Sequence, residues 1–122
     1  MVDPRRKGYT GEAEALKMLH DLGIYAERVG YQDQRAGRVS SDLIIPAFEG
    51  VHPRFDIEVK RTEVARLPSW IRQAQKSANK AGGVPHILWR PSRGQWMSIG
   101  FLKDLPEWAA LGARPGGDST PG

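Results

Sequence analysis

The stretch Phe55-Asp56-Ile57-Glu58-Val59-Lys60 alternates apolar and charged residues without a break. Successive side chains of a strand leave on opposite faces. The pattern therefore predicts a strand with Phe55, Ile57 and Val59 on one face and Asp56, Glu58 and Lys60 on the other. A carboxylate and an amine then share a face two residues apart. Such a pair can hold a hard divalent cation while the lysine orients an attacking water or neutralises charge building on a phosphate. Taken alone, an E-x-K triplet reads more readily as an exposed, salt-bridged strand face.

The residues before this strand supply company for Glu58. Leu43, Ile44 and Ile45, closed by Pro46, read as a second strand with Asp42 at its start, and the turn residues Gly50 and Pro53 make a hairpin of the two. Pairing would bring the Asp42 carboxylate beside that of Glu58, although by itself Asp42 after Ser41 also suits a turn. Two such oxygens anchor a magnesium ion, with the Val59 carbonyl placed to help and water and phosphate oxygens filling the octahedral shell.

Further upstream, Ala15, Leu16, Leu19 and Leu22 recur at helical spacing from Glu12 to a capping Gly23, with Glu14, Lys17 and Asp21 on the other face. Glu12 precedes Leu16 and Leu19 by four and seven positions, so it falls on the core-facing stripe. It also lies in the first helical turn, where a negative charge is favourable in its own right. Ile24 to Val29 reads as a short strand, and Gly30 to Ser40 as a polar loop carrying Arg35 and Arg38.

Downstream, Pro68 and Ser69 start a second helix with Trp70, Ala74, Ser77, Ala78 and Ala81 on one side and Arg72, Lys76 and Lys80 outward, ended by Gly82 and Gly83. Gln73, one turn after Trp70, is either a surface glutamine or a hydrogen-bonding partner for phosphate, water or a ligand carboxylate. His86 to Arg90 and Gln95 to Ile99 are two more strands around the turn Pro91-Ser92-Arg93-Gly94, followed by a helical turn from Pro106 to Leu111. Trp89 and Trp96 on those strands fit a core or a dimer interface better than a stacking platform. The order helix, three strands, helix, two strands predicts an α/β sheet with helices packed on it. It forms one domain over residues 1–111, with a disordered Gly/Pro-rich tail over 112–122.

Composition narrows the chemistry. The 122 residues include no cysteine, and the three histidines, His20, His52 and His86, are too scattered for a zinc site, so any metal is held by oxygen. No apolar run follows the basic N-terminus, and none approaches a bilayer span, which predicts an intracellular protein with no membrane partner. The net charge of +4 favours a polyanionic partner, with Arg5, Arg6, Lys7, Arg35, Arg38, Arg61, Arg72 and Lys76 as phosphate-contacting candidates. The helix cations also suit a merely solvated face.

Assembled in order, Lys7-Gly8-x-x-Gly11-Glu12 on a helix, Ser41-Asp42 before an apolar strand, Glu58-Val59-Lys60, and a following helix bearing Gln73 resemble the PD-(D/E)xK nuclease superfamily. Within it the chain is most similar to the archaeal-type Holliday junction resolvases, which are also phage-encoded. The resemblance spans roughly Arg6 to Trp89. It implies a restriction-endonuclease-like core, a central mixed five-stranded β-sheet flanked by helices. It also implies a metal site of Asp42, Glu58, the Val59 carbonyl and Glu12, and catalytic roles for Glu12, Asp42, Glu58, Lys60 and Gln73. A family serine ahead of the aspartate would fall on Ser41 or Ser40, and Ser41 replaces the proline that names the motif.

The implied activity is magnesium-dependent endonucleolytic cleavage, with Mn2+ as a substitute ion. A homodimer would make symmetric paired nicks in four-way DNA junctions, in the cytoplasm of a cell or of a phage host. The same residues fit another nuclease of the superfamily, for repair or restriction. They also fit a non-catalytic nucleic-acid-binding module whose acids only form salt bridges.

Overall fold

The alternating stretch is the middle strand of a mixed five-stranded sheet flanked by helices. A computed structural model describes residues 4–30 and 41–112, with side chains from Thr10 onward. Arg35, Arg38 and Ser40, the side chains of Arg5, Arg6 and Lys7, and the tail beyond Gly112 lie outside the described residues. The elements run α1 (Pro4–Asp21), β1 (Glu27–Arg28), β2 (Leu43–Ile45), β3 (Phe55–Lys60), α2 (Leu67–Ala81), β4 (Val84–Trp89), β5 (Met97–Ile99) and α3 (Leu105–Ala109). Short 3-10 turns, Leu102–Asp104 and Ala110–Gly112, bracket α3. Among the described residues no helix is long and apolar enough to cross a membrane.

The strands lie in chain order, β1-β2-β3-β4-β5, and only β3 and β4 run parallel. A parallel neighbour requires a crossover rather than a tight turn, and α2 is that crossover. Phe55 and Ile57 point into a core with Ala15 and Leu19 of α1, Leu43, Ile45, Leu88 and Leu111, against which Trp108 of α3 packs. The opposite face of the sheet carries a smaller apolar cluster of Trp70 and Ala74 from α2 with Ile87. The alternation expected of β3 is thus observed, but both of its faces are covered. Phe55, Asp56, Ile57 and Glu58 are each at most 1% exposed.

Several boundaries differ from the sequence reading for local reasons. Helix α1 already begins at Pro4, a residue suited to the first helical turn. Gly11 does not open the helix but sits buried within it, where a Cβ would stand 2.8 Å from Cγ of Arg61. Leu22 lies past the end of α1 and is exposed rather than part of the core stripe. Strand β4 starts two residues early and includes Pro85; β5 pairs only with Ile87 to Trp89, so the missing N–H of Pro85 faces no partner strand.

The two glycines after α2 do different work. Gly82 takes a left-handed C-cap conformation at φ 79° and donates its N–H to the Ala78 carbonyl at 2.7 Å. Gly83 passes so close to β3 that a Cβ on it would stand 1.9 Å from Oδ2 of the buried Asp56. Asp56 cannot yield, because Arg54 Nε and Nη2 donate to its two oxygens at 3.2 and 3.0 Å and the Ser41 hydroxyl donates at 2.9 Å. Gly83→Ala is therefore expected to cost about 3 kcal/mol or more, through a clash with a fixed buried ion pair. Gly82→Ala, with open space around it, is expected to cost only about 1 kcal/mol for its left-handed backbone. Urea titrations of the two variants beside the wild type check the ranking.

Candidate active site

Register places the acids. Leu43 pairs with Ile57 in the antiparallel β2–β3 ladder, so the preceding residue, Asp42, stands opposite Glu58 on the face covered by α2. The Asp42 N–H donates to the Ile57 carbonyl at 2.9 Å, extending the ladder by one bond. Its side chain turns back to accept the Val59 N–H on Oδ2 at 2.8 Å. Because a strand residue's N–H and C=O leave on the same edge, the Val59 carbonyl opens toward this acid pair as well.

Glu58 is 1% exposed, and its Oε1 accepts the Ser77 hydroxyl of α2 at 2.9 Å. One turn earlier on α2, Gln73 accepts Lys60 Nζ on Oε1 at 2.7 Å, and Nζ also lies 5.9 Å from the centroid of the Trp70 ring. Helix α2 thereby touches both β3 groups of the motif. Glu12 approaches from α1, where its Oε1 lies 3.7 Å from Arg28 Nε of β1.

The electrostatics follow from this crowding. Burial, then the Asp42 charge, push the Glu58 carboxyl from its ordinary 4.5 up to about 7, only partly offset by Ser77 and Lys60. Asp42 is also raised, chiefly by burial, with the Val59 N–H, Lys60 and a hydrogen bond with Glu58 pulling the other way. Both carboxyls are therefore pushed toward the protonated form and share a hydrogen bond. Glu12 is raised by burial and by Asp42, against the lowering effect of Arg28. The donor set, one buried and one half-buried carboxylate with a backbone carbonyl, is all hard oxygen. Its repelling charges are what a divalent cation relieves, so the residues fit a magnesium-type ion.

Not every expected residue joins this group. Glu12 does not complete a three-carboxylate cluster with Asp42 and Glu58, and among the described residues no cluster of three such ligands occurs. Ser41 is 1% exposed and donates to Asp56 Oδ1 at 2.9 Å. Arg61 is tied by its own contacts. Its Nε donates to Glu14 Oε1 at 3.1 Å and its Nη1 to the Arg90 carbonyl at 3.1 Å, while Arg90 Nη1 holds the other Glu14 oxygen at 2.7 Å. This three-residue clamp ties α1 to β3 and the end of β4. Arg72 and Lys76 do stand exposed on α2 beside Gln73.

Three contributors escaped the sequence reading. Ser77 reads as part of the buried side of α2, and only its spacing of one turn from Gln73 signals a shared target. Arg28 stands in a two-residue strand with no pattern of its own. Trp70 reads simply as core.

Fold and site together define a mixed α/β sheet whose central strand carries an acid and a lysine opposite a second acid. No protein-family profile matches the sequence, and no curated protein does either. Among solved structures, the fold is that of Hjc, a Holliday junction resolvase from the archaeal hyperthermophile Archaeoglobus fulgidus. The match has a TM-score of 0.54 at 23% identity and covers 77% of this chain and 72% of that one.

The raised Glu58 carboxyl sets a stability prediction. A folded-state value above the unfolded 4.5 means the native protein keeps a proton the unfolded chain has lost, so stability falls as pH rises from about 4.5 to about 7. At about 1.4 kcal/mol per unit the loss is of the order of 3 kcal/mol. Glu58→Gln, which needs no proton, is expected to be more stable than wild type by about 1–3 kcal/mol at pH 8 in chelator, with little difference at pH 5. Denaturant titrations at the two pH values check it; a difference independent of pH would show that Glu58 does not titrate in this window.

Proposed function

We propose that this protein is a metal-dependent DNA endonuclease, and that its substrate is a four-way junction cut by symmetric paired nicks. The observation that carries the reading is the meeting of Asp42, Glu58 and Lys60 on one covered sheet face, Asp42 held by a hydrogen bond from β3 and the other two by hydrogen bonds with α2. A salt-bridged strand face would instead pair Glu58 with Lys60 in solvent. Here Glu58 is buried against another acid.

Magnesium is the proposed ion, with manganese as a substitute, held by Asp42, Glu58 and the Val59 carbonyl. When bound, it supplies positive charge to the scissile phosphate and to the oxygen that attacks it. The chain's own residues do the rest. Lys60 is fixed by Gln73 and Trp70, so its ammonium offsets the negative charge that grows on the phosphate oxygens as the P–O bond breaks. Asp42 accepts the Val59 N–H on Oδ2, which fixes its carboxylate beside Glu58 as a ligand. Glu12, drawn toward Arg28, contributes negative potential from one layer further out. Arg72 and Lys76 on the exposed side of α2 follow the phosphate backbone.

The likeness to the Archaeoglobus resolvase supports the choice of junction over linear DNA, and a homodimer presenting two such sites gives paired nicks by symmetry. The test is cleavage of a labelled immobile four-way junction beside linear duplex and single strand, with magnesium and with chelator. The wild type is expected to nick the junction symmetrically and only with magnesium. Asp42→Asn and Lys60→Ala are expected to lose activity by about 10²-fold or more while binding the junction as well as wild type. Cleavage of all three substrates alike would keep the nuclease and discard the resolvase, and binding without cleavage by the wild type would leave a DNA-binding module.

A further inference from the structure

Glu58 is the most confined of the acids. Its carboxylate sits 1% exposed between β3 and α2, with Asp42 on one side. A glutamate has three side-chain torsions, and the hydrogen bond that Glu58 shares with Asp42 is lost once both acids are ionised around one cation. Another contact must then hold Glu58 in place.

Ser77 is the group in position to do so. It is 4% exposed, and its hydroxyl donates to Glu58 Oε1 at 2.9 Å. A hydroxyl donor bonded to one carboxylate oxygen restricts rotation of the group and leaves the second oxygen available to a cation. The helix geometry fits this role. Gln73 and Ser77 are four residues apart, about 6.0 Å along α2. Glu58 and Lys60 are two residues apart, about 6.6 Å along β3. The two spacings are close enough for one helix face to engage both motif side chains, with Gln73 on Lys60 and Ser77 on Glu58.

We propose that Ser77 is a positioning residue, which orients the Glu58 carboxylate so that its free oxygen and Asp42 face the same cation. The inference rests on the nuclease reading above and adds to it a residue that acts through Glu58 without touching DNA. Alanine is the best helix former and differs from serine by the hydroxyl alone, so Ser77→Ala keeps the fold.

The test measures Mn2+ affinity by calorimetry on the DNA-free protein, beside junction cleavage kinetics and thermal melting. It uses wild type, Ser77→Ala, Ser77→Thr, Glu58→Gln and the Ser77→Ala/Glu58→Gln double variant. Loss of a group that orients a metal ligand typically costs about 10- to 100-fold, so Ser77→Ala is expected to weaken Mn2+ by about 10-fold or more. It is also expected to lower kcat to a similar degree, with KM for the junction unchanged. Ser77→Thr, which keeps the donor, restores both. In the Glu58→Gln background the Ser77→Ala effect on Mn2+ disappears, as expected of two residues that act as one unit.

Unchanged Mn2+ affinity in Ser77→Ala overturns the proposal while leaving the nuclease reading intact. So does an effect that persists undiminished without the Glu58 carboxylate. A wild type that binds no Mn2+ overturns both.

Discussion

The antiparallel register that sets Asp42 opposite Glu58 is the constraint on which the site depends. Two acids facing each other on a covered sheet surface lose hydration and repel, and such a pair persists only where its lone pairs are occupied. The Val59 N–H occupies one and the Ser77 hydroxyl another, and the crowding that remains pushes both carboxyls above their ordinary range. A one-residue slip of β2 would send Asp42 to the other face and leave Glu58 buried alone. The apolar run Leu43, Ile44 and Ile45 guards against that slip, because Leu43 and Ile45 are needed in the core beneath Phe55 and Ile57.

Asp56 and Glu58 show how environment separates two acids of identical placement. Both leave β3 on the face toward α2, and both are 1% exposed. Asp56 is neutralised by the Arg54 guanidinium and tied by Ser41, so it fastens the start of the strand. Glu58 meets a neutral hydroxyl and another carboxylate, so its charge stays uncompensated and its carboxyl is pushed up to about 7. The first arrangement stabilises structure; the second leaves a demand for positive charge that an ion or a substrate can meet.

Helix α2 serves the fold and the site at once. As the crossover it makes β4 parallel to β3, as a cover it buries Trp70 and Ala74, and as a frame it holds Lys60 and Glu58 through residues one turn apart. Helix α1 plays the matching part on the other face. The Glu14–Arg61–Arg90 clamp and the close approach of Gly11 to Arg61 seat it against β3, and Glu12 is thereby carried to the margin of the acid pair.

What the sequence determined by itself is everything with a local period: the alternation of Phe55 to Lys60, the hairpin that pairs Asp42 with Glu58, the amphipathic α2 with its glycine stop, and hence the acid pair and its lysine. What only the tertiary structure decided is the fate of side chains whose partners are far along the chain. Arg61 carries the same charge as Arg72, yet Glu14, on α1, pairs with it while Arg72 stands exposed. Ser41 and Ser77 are chemically alike, yet one faces Asp56 and the other Glu58. Glu12 falls on the expected stripe and stands between the Asp42 charge and Arg28. Periodicity reports which face a residue takes, because that is fixed by its own backbone. Which group waits across that face depends on how helices and strands distant in sequence are stacked.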